Sequence, residues 1–325
     1  MSHLIDLTKL AFIGANLHRP ECVQTHPDGS LHVADWRGGV TVIKPDGQQN
    51  TVLAKTEFKP KTNGLALQPD GSWLITHLGD TEGGVFRLAS DGNLSPILLE
   101  VDGNPLPPTN YVHVDILGRI WVTVSTRKIP RHLSCHAKCD DGFIVLIDAK
   151  GARIVADGLG FANECVYHHK RQKIYVNETF TRRLTSFDVA QNGELSNRVI
   201  LTQFGAGTYP DGLTFDADGS IWITSIVSNR ILRVAPDGRY KILIEDCDAE
   251  HLEKTEEAYQ KNTLTKTHLD TPSGKILKNI SSLAFGGPVS KRIYLGCLLG
   301  QSIAWIDSGQ IGLKNNIWQS ALPIA

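Results

Sequence analysis

A similar unit recurs six times along this chain. Each copy has a polar residue, a short apolar strand, a D-G turn, a second strand, a third strand and a further D-G or N-G. The clearest copies read PDGLTFDADGSIWIT at residues 210–224 and TNGLALQPDGSWLIT at residues 62–76. Because Asp-Gly and Asn-Gly supply the positive φ of tight hairpins, the pattern predicts short antiparallel strands.

Six antiparallel sheets that follow one another along a chain are typical of a β-propeller. Radial packing covers both faces of each sheet and shortens the exposed edges. The sequence therefore predicts an all-β fold, a six-bladed β-propeller with four-stranded antiparallel blades. The apolar residues 10–13 precede the first copy, and we expect them to add the outer strand of the last blade and close the ring.

The chain is predicted to form one propeller domain over residues 1–325, with insertions near 126–141 and 245–279. The second insertion contains HLEKTEEAYQ, which is expected to be helical. Insertions in repeat proteins emerge on one face, which is often the binding face. The alternative is that both insertions are solvated surface loops.

The residue that stands just before the first strand is polar in all six copies. In chain order these residues are Glu21, Asn63, Asn110, Asn163, Asp211 and Ser281. The first strand of each propeller blade lines the central channel, so the six side chains are expected to form a ring at one mouth of that channel.

Two carboxylates in such a ring would repel each other unless a cation lay between them. Ca²⁺ binds about six to eight oxygen atoms from carboxylates, amides and water. We expect Glu21 and Asp211 to balance its charge, Asn110 and Asn163 to supply neutral oxygens, and Asn63 to lie further away. The prediction is Ca²⁺, with Mg²⁺, Mn²⁺ or Zn²⁺ as other divalent ions. The alternative is that these residues fill a hydrated channel without a metal.

The formal net charge is −1, which gives no electrostatic reason to expect a nucleic acid or a membrane surface as partner. Residues 1–15 lack the pattern of a signal peptide, and no apolar run is long enough for a membrane span. The six cysteines are scattered. These features predict a cytoplasmic protein, and they leave its oligomeric state open.

The segments PDGLTFDADGSIWIT and AFGGPVSKRIYL resemble the SMP-30/gluconolactonase family, which is similar to diisopropylfluorophosphatase and related lactonases. The resemblance extends over about residues 16–307. It implies a six-bladed propeller with a central divalent cation held by Glu21, Asn110, Asn163 and Asp211. It also implies that Asp211 is the catalytic base or nucleophile. The chain differs from the family pattern at Pro108, where an arginine is frequent, and at Glu164, where glycine is usual.

These features together predict a calcium-dependent hydrolase of ester bonds, most simply a lactonase that opens a small lactone ring. A phosphotriesterase-type hydrolase is an alternative, since a cation can polarise either a carbonyl or a phosphoryl oxygen. A non-catalytic propeller that binds partners and holds a structural metal is another, because fold does not determine function.

Further pocket candidates accompany the ring. His77 and Ser225 end second strands and are expected to face the pocket together with Asn63 and Ser281. His132, Cys135, His136 and Cys139 form an H-x₂-C-H-x₂-C pattern in the first insertion. This pattern could bind Zn²⁺, and the alternative is a loop with free thiols.

Overall fold

The structure is a computed structural model that describes residues 5–314. Six four-stranded antiparallel sheets follow one another along the chain. The first blade contains β2 (Val23–Thr25), β3 (Leu31–Asp35), β4 (Gly39–Ile43) and β5 (Gln49–Leu53). The second contains β6 (Thr62–Leu67), β7 (Trp73–Leu78), β8 (Gly83–Leu88) and β9 (Leu94–Leu98). A two-stranded hairpin of β10 (Glu100–Val101) and β11 (Asn104–Pro105) leads to the third blade.

The remaining blades repeat this order. The third contains β12 (Thr109–Val114), β13 (Ile120–Val124), β14 (Gly142–Asp148) and β15 (Gly151–Leu159). The fourth contains β16 (Ala162–His168), β17 (Lys173–Glu178), β18 (Arg183–Val189) and β19 (Leu195–Gln203). The fifth contains β20 (Tyr209–Phe215), β21 (Ile221–Ile226), β22 (Arg230–Val234) and β23 (Tyr240–Ile244). The sixth contains β24 (Ile280–Gly286), β25 (Arg292–Cys297), β26 (Ile303–Asp307) and β1 (Ala11–Ile13).

The sixth blade joins the two ends of the described chain. Strand β1 pairs antiparallel with β26, with Ala11 opposite Trp305 and Ile13 opposite Ile303. The N-terminal strand therefore supplies the outer edge of the last blade. Both the six-bladed propeller and its closure by an N-terminal strand agree with the prediction from the sequence.

The D-G turns owe their shape to both residues. In the hairpin between β6 and β7, the Asp70 carboxylate accepts the backbone N–H of Ser72 at 3.0 Å, and Gly71 has φ +81°. The Asp28 carboxylate accepts the N–H of Ser30 at 2.8 Å in the same way. The side chain thus fixes the turn while glycine accepts the positive φ, so each D-G dipeptide ends one strand and starts the next.

The hydrophobic core lies between neighbouring blades. One aromatic residue on the second strand of several blades is buried against the next blade: Trp121, Tyr175, Trp222 and Tyr294. The Trp222 ring, for example, packs edge-on against Phe285 of the sixth blade, with 5.3 Å between the ring centres. This packing ties each sheet to its neighbour and holds the inner strands around the channel.

Two insertions interrupt the repeat on the face where the inner strands begin. The first carries a 3₁₀-helix at Arg131–Ser134 between β13 and β14. The second, between β23 and β24, carries α1 (Ala249–Gln260) and α2 (Lys266–Asp270). The helix expected in the second insertion is therefore present. Short 3₁₀-helices also occur at Leu7–Lys9 and Pro288–Ser290.

Within the described part of the chain, no helix is both long and apolar enough to cross a membrane. All six cysteines are free thiols.

Candidate functional site

Irregular strand pairing marks five of the six ring positions. The register between the first and second strands of a blade shifts at Asn63, Asn110, Asn163, Asp211 and Ser281. A β-bulge re-aims side chains and bends the strand locally. The bulges thus occur where the inner strands reach one mouth of the channel, and each bulge changes the direction of a polar side chain there.

Side chains of one blade hold the backbone of the next at these bulges. Thr76 Oγ1 donates to the carbonyl oxygen of Asn110 at 2.8 Å. Asn177 Nδ2 donates to the carbonyl oxygen of Asp211 at 3.0 Å, and Thr224 Oγ1 donates to that of Ser281 at 2.8 Å. The same kind of contact therefore recurs around the ring, and it fixes the position of each ring residue relative to the neighbouring blade.

A cavity of about 280 Å³ opens at this mouth, and it has four of the ring residues in its wall. These residues are Glu21, Asn110, Asn163 and Asp211, which come from four different blades. All four are buried. Both insertions also contribute to the wall, through Arg131 from the first and Lys266 from the second.

The two amide ligand candidates are oriented by neighbouring hydroxyl groups. Asn110 Nδ2 donates to Ser125 Oγ at 2.9 Å, and Asn163 Nδ2 donates to Thr179 Oγ1 at 3.1 Å. Because each amide nitrogen has a hydroxyl partner, the orientation of each amide oxygen is fixed as well. Asn163 Oδ1 receives no hydrogen bond from the described residues, so it is free to bind a ligand.

The two carboxylates differ in their surroundings. Glu21 Oε2 lies 3.2 Å from Arg19 Nε. The Asp211 side chain receives neither a hydrogen bond nor an ion pair from any residue between 5 and 314. Burial, followed by the nearby charges of Glu21 and Glu164, raises the pKa of Asp211 well above its usual value in the metal-free protein. An enclosed carboxylate without a donor is unfavourable on its own and is stabilised by a cation.

Glu164 lies next to the ring on β16 and is buried as well. Its Oε2 accepts the backbone N–H of Leu213 on the neighbouring blade at 2.9 Å. Burial raises the pKa of Glu164 to about 8. This side chain therefore bonds the inner strands of the fourth and fifth blades to each other, in a place where the family pattern has glycine.

The four cavity residues fit a divalent cation that prefers oxygen ligands. They offer two carboxylates and two amide oxygens, and the two carboxylates balance the charge of such an ion. The unpartnered Asp211 carboxylate and the unpartnered Asn163 Oδ1 are the observations that support this fit. Histidine and cysteine, which Zn²⁺ and copper prefer, are not among these four residues.

The other predicted pocket residues lie outside this cavity wall. Asn63 Nδ2 donates to the carbonyl oxygen of Asn110 at 3.1 Å and to its Oδ1 at 3.3 Å, so Asn63 supports a ligand candidate. Ser281 Oγ donates to the carbonyl oxygen of Glu21 at 2.9 Å. Both side chains thus contact the backbone of the next ring position and are not directed into the cavity.

The two candidates at the ends of second strands also bond to backbone. His77 Nδ1 accepts the N–H of Lys61 at 2.8 Å, and its Nε2 lies 3.5 Å from Glu82 Oε1. Ser225 Oγ accepts the N–H of Tyr209 at 2.8 Å. The structure places neither residue in the cavity wall, because these partners hold both side chains away from it.

The H-x₂-C-H-x₂-C segment does not assemble a metal group. Across residues 5–314, no cluster of three or more His, Cys, Asp or Glu side chains is arranged to hold a metal. Cys135 and Cys139 instead pack into an apolar cluster with Phe161 and Phe180. Burial raises the pKa of both thiols to about 12, and both are free thiols in the structure.

The sequence analysis missed the cationic residues of the cavity. Arg19 stands two residues before Glu21, and Arg131 lies in the first insertion. Arg19 could have been suspected from its spacing to a ligand candidate. Nothing in the repeat pattern marks Arg131, because the path of an insertion is not part of the repeat.

The fold and the cavity define a class of proteins, namely six-bladed propellers with a polar pocket at one mouth of the channel. A family model described as the SMP-30/Gluconolactonase/LRE-like region matches residues 19–245. The chain belongs to this family.

Among curated proteins, a 6-deoxy-6-sulfogluconolactonase from Pseudomonas putida is 28% identical over 215 residues. That match covers 65% of this chain and 66% of the relative, so it spans about two thirds of either protein.

Solved structures share the fold at low identity. A gluconolactonase from Xanthomonas campestris has a TM-score of 0.67 at 19% identity, and the match covers 91% of this chain and 88% of the gluconolactonase chain. A calcium-binding protein, regucalcin, from Agrobacterium tumefaciens has a TM-score of 0.66 at 16% identity, and the match covers 94% of this chain and 96% of the regucalcin chain.

Proposed function

We propose that this protein is a calcium-dependent lactonase whose site is the cavity at the mouth of the channel. The observation that supports this most is that Glu21, Asn110, Asn163 and Asp211 come from four blades and line one cavity. The family assignment and the gluconolactonase names among its relatives favour a lactone as substrate. The calcium-binding relative favours Ca²⁺ as the ion.

In this proposal the four side chains hold the cation through two carboxylate and two amide oxygens. When bound, the cation would polarise the lactone carbonyl and stabilise the negative charge that develops on its oxygen. Thr179 and Ser125 keep the two amides oriented for this task. Because the four residues are buried, few water molecules can compete with their oxygens for the cation.

Asp211 is proposed as the catalytic residue, in one of two roles. As a base, it would accept a proton from the water that attacks the carbonyl carbon, and the ring oxygen would leave with a proton. As a nucleophile, its carboxylate would attack the carbonyl carbon itself, and water would then hydrolyse the resulting anhydride. Both routes convert a lactone and one water molecule into a hydroxy acid.

A metal analysis combined with a hydrolysis screen tests the proposal. The purified protein should contain about one calcium ion per chain and hydrolyse small lactones. A chelator should abolish turnover, and added Ca²⁺ should restore it. If the protein hydrolyses phosphotriesters but does not hydrolyse lactones, the phosphotriesterase alternative is favoured. A bound metal with no turnover of either substrate class would favour a non-catalytic propeller.

The two roles of Asp211 can be separated with labelled water. In a single turnover in H₂¹⁸O, a nucleophilic Asp211 can acquire ¹⁸O in its own carboxylate, whereas a base cannot. Mass spectrometry of the peptide that contains Asp211 would show the difference.

A further inference from the structure

Arg131 brings a positive charge into the cavity without a carboxylate partner of its own. It lies in the 3₁₀-helix of the first insertion and lines the same cavity as the four ligand candidates. Its Nη2 donates to Ser125 Oγ at 2.9 Å. It forms no ion pair with any described residue, and its Nε is buried without a hydrogen-bond partner.

The Arg131 guanidinium is held in place by its surroundings. The ring of Phe161 lies under it, with 5.0 Å from Cζ to the ring centre, and the Ser125 hydroxyl fixes one terminal nitrogen. This arginine has lost part of its hydration, and its partners in return are a neutral hydroxyl and an aromatic ring, neither of which carries a negative charge. Such a charge is stabilised by an anion that enters the site.

Arg19 is a second guanidinium in the cavity wall. Its Nε lies 3.2 Å from Glu21 Oε2, and its Cζ lies 4.7 Å from the centre of the Trp36 ring. Its two terminal nitrogens form no hydrogen bond with residues 5–314. The side chain is thus positioned by Glu21 and Trp36 and keeps donors free for another group.

The remaining charges of the wall are already paired. Asp80 accepts from Lys61 at 2.8 Å, and Lys266 lies 3.7 Å from Asp270. Among the other charged groups of the wall, Arg19 pairs with Glu21, whereas Asp211 and Arg131 have no ion-pair partner among the described residues. A divalent cation on the carboxylates would neutralise them and leave the two positive charges of the arginines.

We propose that the site accepts a lactone that carries a separate anionic group, which Arg131 binds with support from Arg19. This inference rests on the proposed function, since it assumes that a cation occupies the carboxylates. The anionic group is a carboxylate, a sulfonate or a phosphate, all of which match the hydrogen-bonding geometry of arginine. The cavity of about 280 Å³ restricts the ligand to a small molecule.

The first test compares lactones of one sugar skeleton with and without the charge. The substrates are glucono-δ-lactone, its 6-phosphate, its 6-deoxy-6-sulfonate and glucarolactone, and the enzyme is the calcium-loaded full chain. We expect kcat/KM to be at least about 10-fold higher for one or more of the charged lactones. The preferred charged substrate identifies the anion. Equal kcat/KM values for the neutral and charged lactones would overturn the inference and leave the lactonase proposal intact.

Substitution of Arg131 tests its part in this preference. In R131Q the ratio of kcat/KM for the charged over the neutral lactone should fall by about 10-fold or more, and R131K should lie between R131Q and the wild type. The matched control is R239Q, because Arg239 is exposed, is paired with Asp237 and lies outside the cavity wall. An unchanged ratio in R131Q, with normal thermal unfolding of the variant, would contradict the role of Arg131.

A binding measurement keeps the inference testable without turnover. The ligands for calorimetry are 6-phosphogluconate, 6-deoxy-6-sulfogluconate, glucarate and gluconate, which are hydrolysis products and do not react further. At least one of the three ligands with an additional anionic group should bind the wild type more tightly than gluconate does. R131Q should lose this difference. If no lactone is hydrolysed but this difference is present, the proposed activity is wrong and the anion site stands. If lactones are hydrolysed and no charged ligand binds more tightly than gluconate, the anion site is wrong and the activity stands.

Discussion

Asn110 and Arg131 donate to the same hydroxyl oxygen, Ser125 Oγ, each at 2.9 Å. A proposed metal ligand and a proposed anion-binding residue are thus joined through one buried side chain. Ser125 follows β13, where the first insertion begins, so it connects the regular blade to the loop that covers its end. This contact helps to fix the position of the loop relative to the ring.

Replacing Ser125 with alanine should weaken both functions of the site. The variant loses the acceptor for two donors, and the cost is about 1–3 kcal/mol of unfolding free energy. The Asn110 amide also loses its orientation, so we expect calcium affinity to fall by about 10-fold. Calorimetric titration with Ca²⁺ and denaturant unfolding measure the two effects. The control is S225A, which removes a buried hydroxyl outside the cavity wall and should reduce stability without loss of calcium affinity.

Replacing Asp211 with asparagine should abolish turnover without unfolding the protein. We expect a loss of at least about 10³-fold in kcat, because the variant lacks the Asp211 carboxylate, which is both a charged cation ligand and the proposed base or nucleophile. Metal-free D211N should be at least as stable as the metal-free wild type, since it no longer buries a carboxylate without a donor.

The contrasting variant is D216N, in the same blade. Asp216 is buried and paired with Arg233 at 2.7 Å, and it also accepts from Trp222 Nε1 at 2.9 Å. Its replacement should destabilise the protein and leave calcium binding in place. Similar destabilisation of D211N and D216N in metal-free buffer would contradict the view that Asp211 is unpaired.

Removal of calcium should lower the melting temperature. A ligand at about 100 times its dissociation constant stabilises the native state by about 2.7 kcal/mol, which corresponds to several degrees for a protein of this size. Differential scanning calorimetry with EDTA and with excess Ca²⁺ measures this difference. It should be clearly smaller in D211N, where a neutral amide replaces a charged ligand, and a difference of equal size in that variant would place the calcium elsewhere.

The anchor of the second insertion should contribute strongly to stability. Glu256 on α1 accepts from Arg182 Nη1 at 3.0 Å and from the Tyr209 hydroxyl at 2.7 Å. Replacing Glu256 with alanine leaves the buried Arg182 without its partner, so we expect a loss of about 2–4 kcal/mol in denaturant unfolding. Because Lys266 and Leu269 of the same insertion line the cavity, KM should rise as well. E250A removes an exposed carboxylate from α1 and should change neither quantity.

Stability should fall in mild acid because of His32. Its Nδ1 accepts from Trp73 Nε1 at 2.9 Å, and burial is the main cause that lowers its pKa from 6.5 to about 4. The folded state therefore keeps His32 neutral, whereas the unfolded chain takes up a proton below about pH 6.5. The stabilisation is complete above that pH and is lost as the pH falls towards 4.

The variant H32N tests this assignment. Its Oδ1 can accept from Trp73 and does not titrate, so the variant should lose less stability than the wild type between pH 7.5 and pH 5. The expected difference is up to about 2 kcal/mol at pH 5, and thermal unfolding at the two pH values measures it. Parallel pH dependence of the two proteins would show that other groups, such as the buried His113 and His168, account for the acid sensitivity.

The repeat alone was sufficient to predict the propeller. Strand periodicity and D-G turns are local properties, and each turn is fixed by contacts between residues two positions apart, such as Asp70 with Ser72. Alignment of the six copies also placed Glu21, Asn110, Asn163 and Asp211 at one level of the channel, and the cavity contains all four. A shared position in the repeat is enough to place residues at one level of the channel, because the blades are related by rotation about one axis.

The repeat could not show which ring side chains turn into the cavity. Asn63 and Ser281 occupy the same position as the four cavity residues, yet they bond to Asn110 and Glu21 of the next blade. The strand registers shift at these positions, and the outcome depends on contacts between neighbouring blades, which are far apart in the sequence.

The sequence by itself determined the six blades, their closure by the N-terminal strand and the ring of polar residues. Only the tertiary structure showed that Arg131 enters the cavity and that Asp211 is buried without a donor. The reason is physical. Local backbone preferences repeat with the sequence, whereas the path of an insertion and the environment of a charge depend on packing between segments that the sequence separates.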